Sequence, residues 1–156
     1  MLKLNLGAND RRVDGFLSVD IVPPADFIAD LTLRWPWEDS TVDEVLAFDV
    51  VEHLPDKRHT MNELWRVLRH GGRATIEVPT IGGVGAVCDP THVSYWSAGD
   101  FEYYEKGNYA RERFRNSPYY GVHADFRILT VLPSSYRNRF DEEIKKVTVA
   151  LEALKA

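Results

Sequence analysis

Short apolar runs, each closed by a glycine, a proline or an acidic residue, dominate the first eighty positions and leave room for one helix among them. Leu2 to Leu6 (LKLNL) alternates and meets Gly7, Phe16 to Ile21 (FLSVDI) is stopped by Pro23 and Pro24, and Phe27 to Leu31 is a shorter run. Glu44 to Val51 (EVLAFDVV) is a continuous apolar run, as expected of a strand buried on both faces. From Asp56 to Arg69 the period changes: Met61, Leu64, Trp65 and Leu68 fall on one face of a helix, which Gly71 and Gly72 are expected to end. Arg73 to Val78 (RATIEV) alternates again before Pro79, and Ala98 to Tyr104 reads as a short helix. Phe126 to Leu132 and Ile144 to Leu151 suit a late antiparallel hairpin, with VALEALK equally open to a helical tail. The pattern predicts an α/β fold: a Rossmann-like, mostly parallel sheet with a late antiparallel strand and an abbreviated first crossover. Ligands of such sheets bind at the carboxyl ends of the strands.

Composition agrees with one domain spanning residues 1–156. With 44% hydrophobic and 28% charged residues the chain is neither disordered nor fibrous. At this length roughly 68–70% of the unfolded surface can be buried without disulfides or a structural metal. Cys88 stands alone, which excludes a disulfide framework and fits a reducing compartment. The start MLKLNLGANDRR lacks the apolar run of a signal peptide, and no stretch is long enough for a membrane span. A cytoplasmic protein without membrane contact is expected. Residues 1 to 105 carry 9 Lys and Arg against 18 Asp and Glu, so nucleic acid is not expected as a partner.

The first strand runs into Leu6-Gly7-Ala8-Asn9-Asp10, and the second ends at Val19-Asp20. A glycine lets a ligand approach the backbone, and an acidic residue at the next strand end can accept from a ribose diol. Four ordered blocks then resemble one family: LNLGANDRRVDGFLSVDI, IADLTLRWPWEDSTVDEVLAFDVVEHL, NELWRVLRHGGRATIEVPT and DPTHVSYWSAGDF. Over residues 2 to 104 the chain resembles the small class I S-adenosylmethionine-dependent methyltransferases of the methyltransferase-11 type. The resemblance implies S-adenosylmethionine as cofactor. Gly7 with its neighbours Leu6, Ala8 and Asn9 would lie against its methionine part, Asp20 would bind the ribose, and Ile21, Asp30 and Leu31 would surround the adenine. Phe48, Asp49 and Val50 would touch it from the fourth strand. The family's second glycine is here Asn9, which tolerates positive φ next best. About ten residues separate the first two strands, short for a parallel crossover.

Methyl transfer asks for in-line positioning and sometimes a base. Glu52 and His53 follow the fourth strand, and Asp89 and His92 follow the fifth; His53 and His92 are the candidate bases, His53 preferred. Glu52 could instead orient neighbouring backbone, and His92 could bond Asp89 to shape the loop. His53, His59, Cys88 and His92 form no compact ligand cluster by spacing, so no metal is expected. Residues 106–125 read equally as a substrate lid or as a solvated loop whose arginines pair with the acidic remainder of the protein. Arg111, Arg113, Arg115, Arg127 and Arg137, interleaved with tyrosines, point to an anionic acceptor, a small molecule or a glycan. The rival readings are a non-catalytic S-adenosylmethionine or adenosine-binding protein, and a structural partner protein without cofactor.

Overall fold

A computed structural model describes residues 1–114, 117 and 119–156. The strands are β1 (Lys3–Leu6), β2 (Leu17–Asp20), β3 (Phe27–Ile28), β4 (Val42–Phe48), β5 (Leu68–Pro79), β6 (Phe126–Arg137) and β7 (Glu143–Ala153). They form one sheet in the order β3-β2-β1-β4-β5-β7-β6. β1 to β5 run parallel, and β7 lies antiparallel between β5 and β6. VALEALK therefore ends in strand, not helix: Val149 pairs Ile76 and Leu151 pairs Ala74, all four fully buried. Burial of Val149, Ile76 and Leu151 stabilises the fold by about 1.5–3 kcal/mol each.

Helix α1 (Lys57–Val67) begins where the Asp56 carboxylate accepts from the amides of Arg58 and His59, the usual way of satisfying the first free N–H groups. It buries Met61, Leu64 and Val67 and packs against β5. It stops four residues before Gly71, contrary to the expectation from the glycine pair. Leu68 is fully buried opposite Val42, so sheet pairing takes the chain straight from helix to strand. Gly71, at φ +71°, and Gly72 then form an irregularity within β5, where the register against β4 shifts between Val42 and Glu44.

The link from β1 to β2 contains no helix, yet the pair is parallel. Polar side chains do the bridging. Buried Asn5 donates to the Arg11 carbonyl (2.7 Å), and the Ala8 amide to the Val19 carbonyl (3.1 Å). Asp26 accepts from the Ser18 amide, the Ser18 hydroxyl and Arg12. After β5 come three short helices, α2 (Gly85–Cys88), α3 (Ala98–Glu102) and α4 (Tyr109–Phe114). No helix among the described residues is long and apolar enough to cross a membrane.

Candidate functional site

The carboxyl ends of β1, β2 and β4 enclose a cavity of about 300 Å³. Gly7, Asp20, Ile21, Asp30, Leu31, Asp49 and Val50 line it, joined by Ala29, Thr32, His53 and Leu54. Gly7 has φ +60°, and a Cβ there would stand 2.5 Å from Val50 Cγ2. The glycine lets the first strand end lie directly on the fourth. Asn9 holds the turn at φ +48° in the second glycine's place, and its amide donates to Asp20 Oδ2 (2.8 Å). Asp20 Oδ1 accepts from the Ile21 amide (2.7 Å). A carboxylate has about four lone-pair sites, so Asp20 keeps capacity for a ligand hydroxyl. Asp30 is an Asx turn: Oδ1 accepts from the Thr32 amide and hydroxyl, which lower its pKa.

Leu6, Ala8, Asn9 and Phe48 do not line this cavity. Leu6 and Ala8 are buried in the packing behind the loop. Phe48 sits in β4 opposite Glu77, and the side chain next to it in sequence, Asp49, takes the site.

A second cavity, also about 300 Å³, adjoins the first and shares Asp49 and His53 with it. Its remaining walls include Glu52, Cys88, Asp89, His92, Tyr136 and Lys146. Val51–His53 is a 3₁₀ turn and not the tail of β4, because the chain leaves Asp49 at φ +53°. That turn points Glu52 inward, 2% exposed, and brings His53 beside His92 with ring centroids 4.9 Å apart. Neither His59 nor Cys88 joins the two histidines; instead a set that spacing did not suggest comes together, with one ligand atom each of Glu52, His53 and His92 within 4.8 Å of one another. Burial pushes the Glu52 carboxyl up, with nearby Asp49 adding to the shift.

Lys146, invisible to motif reading, holds Asp49 with both oxygens at 2.7 Å and Glu77 at 3.1 Å. Burial works against its charge, but these two carboxylates outweigh it and raise its pKa. The signal was the period of β7, which sets Lys146 opposite Pro79. Lys146 also borders a wider hollow of about 630 Å³ beneath β6 and β7.

Among the described residues of 106–125, none lines these three cavities. Asn62 of α1 ties down the end of the segment, donating to the Gly121 carbonyl and accepting from the His123 and Ala124 amides. Arg111 is 1% exposed and ion-paired with Asp125, so it meets no acceptor, and Arg115 lies outside the described residues. Arg127 pairs with Glu152, and Arg137 with Asp141.

Residues 11–76 match the family described as a methyltransferase domain. An S-adenosylmethionine-dependent methyltransferase from Methanosarcina mazei is similar with TM-score 0.66 at 12% identity, over 99% of this chain and 92% of that one. One from Archaeoglobus fulgidus is similar with TM-score 0.62 at 13% identity, over 96% and 85%. A Haemonchus contortus phosphoethanolamine N-methyltransferase, solved with phosphomonomethylethanolamine and S-adenosylhomocysteine, gives 0.60 at 11% identity over 99% and 49%. No curated protein matches by sequence.

Proposed function

We propose, for a chain with the fold of the class I S-adenosylmethionine-dependent methyltransferases and a methyltransferase-domain match over residues 11–76, that it methylates a small-molecule or glycan-type acceptor held beside His53 and His92. One observation carries the reading: Asp49 and His53 belong to both cavities, so a ligand in each would meet at that boundary.

The first cavity suits S-adenosylmethionine. Asp20 at the end of β2 can accept from ribose hydroxyls, Ile21 and Leu31 offer apolar surface to the adenine, and Gly7 keeps the floor open. When bound, the cofactor supplies a methyl group on a sulfonium, a reaction governed mainly by alignment.

The chain's own contribution is to place the acceptor and take its proton. His53 Nδ1 lies 3.1 Å from both the carbonyl and the hydroxyl of Thr91, and that hydroxyl donates to Asp89 (2.6 Å). Nδ1 therefore carries the proton, leaving the Nε2 lone pair as the base. Asp49, Glu52 and Asp89 outnumber Lys146 in the second cavity, which favours a neutral or cationic acceptor over the anionic one that the arginines suggested. The hollow under β6 and β7 gives space for a larger acceptor such as a sugar.

Turnover with a candidate acceptor tests the proposal. His53→Ala should lower it about 10²–10⁴-fold with cofactor affinity kept. Tight cofactor binding with no turnover on any acceptor would favour the non-catalytic binding protein instead.

A further inference from the structure

Around Glu52 the second cavity sets acceptor groups facing one another, with no donor to its carboxylate among the described residues. Glu52 is 2% exposed, and neither carboxylate oxygen has a hydrogen-bond partner among the described residues. A buried carboxylate in that state is strongly disfavoured unless a cation joins it or a proton neutralises it. His92 Nδ1 lies 3.2 Å from the Ala86 carbonyl, which can only accept. The His92 proton is thus on Nδ1, and the Nε2 lone pair looks out at Glu52 Oε1 (3.8 Å) and Asp89 Oδ2 (3.7 Å). His53 repeats the arrangement, its Nδ1–H pinned by Thr91. Lys146, which borders the cavity, is already held by Asp49 and Glu77 and does not fill the gap.

Two imidazoles whose Nδ1–H groups are fixed by main-chain carbonyls, converging with one carboxylate, are the donor set of two-histidine, one-carboxylate metal sites. We propose that Glu52, His53 and His92 bind a divalent first-row transition ion, its open coordination positions turned toward the cavity. One ligand atom of each residue already lies within 4.8 Å of the others. Bonds of about 2.0–2.2 Å would draw the donors to about 3–3.5 Å apart. The inference rests on these donors alone and not on the methyltransferase reading. An ion there would occupy the lone pair that the proposed function gives to His53, and the chemistry it would supply in place of that base is Lewis acidity toward an acceptor oxygen.

The test is titration of Zn²⁺ and Co²⁺ into the full chain after chelator treatment, by calorimetry and by Co²⁺ visible absorption. One ion per chain should bind, and the Co²⁺ spectrum should lack a thiolate charge-transfer band, because Cys88 is not among the converging donors. Glu52→Gln and His92→Ala should each weaken the Kd at least tenfold, whereas replacement of exposed His123 by Ala should leave it unchanged. Glu52→Gln keeps the side-chain size, and its metal-free Tm should not fall, because no pairing of the carboxylate within the chain is lost. Absence of one-to-one binding, binding that survives both substitutions, or a lower metal-free Tm in Glu52→Gln overturns the proposal. Metal binding without methyl transfer would count against the proposed function and leave this inference standing.

Discussion

Gly7 and Asn9 show how two backbone positions shape a binding loop for different reasons. Gly7 is required by space as well as by φ, since any Cβ would enter the Val50 side chain. Gly7→Ala should therefore cost about 1–3 kcal/mol in denaturant unfolding, from strain and overpacking combined. An unchanged midpoint would mean that Val50 moves aside freely. Asn9 needs only its left-handed φ, which asparagine tolerates, so the missing second glycine leaves the turn intact. Gly7, Asp20 and His53 could be singled out in the sequence because each stands where a strand pattern breaks, whereas His92, well beyond the end of β5, was singled out from the DPTH turn. Glu52 was read as a strand-end residue that could orient neighbouring backbone, since nothing in VVEHL says that a 3₁₀ turn will bury it.

Elements that lack a helix are held by side chains here, and this makes them sensitive to pH. Hydrogen bonds from the Ser18 hydroxyl and amide, then from Arg12, hold the Asp26 carboxyl at about 2, below its ordinary 3.8. A depressed carboxylate pKa gives stability that is present above the unfolded value and lost as pH falls through the folded one. Asp26→Ala should therefore unfold more easily than wild type at pH 7, and the two should converge between pH 3.8 and about 2. A difference that persists unchanged at pH 2 would assign it to packing and not to charge. On the other side of the molecule, Asn62→Ala removes three hydrogen bonds to residues 121–124. It should destabilise by about 1–3 kcal/mol through the buried groups left unpaired, readable in thermal unfolding. Element boundaries were the least legible part: the glycine pair that reads as a helix stop is a strand irregularity, because pairing of Leu68 with Val42 outweighs local preference.

At the scale of the whole molecule, strand and helix periods pointed to a largely parallel sheet, but they left the late hairpin open to a helical tail. The order β3-β2-β1-β4-β5-β7-β6 then places the ends of β2, β1 and β4 side by side and sets Lys146 of β7 next to Asp49, 97 residues away. No local motif could announce that contact. Nor could composition show that Arg111 would be buried against Asp125 and so be lost to an acceptor. The central claim is that the cavity lined by Gly7, Asp20, Asp30 and Asp49 holds S-adenosylmethionine. Its most direct test is calorimetric titration of that cofactor into the wild-type chain and into Asp20→Ala. We predict one-to-one binding, weakened by roughly 1.5–3 kcal/mol in the variant, the loss typical of a hydrogen-bonding charged partner. No binding to the wild type, or equal affinity in a folded Asp20→Ala, would contradict it.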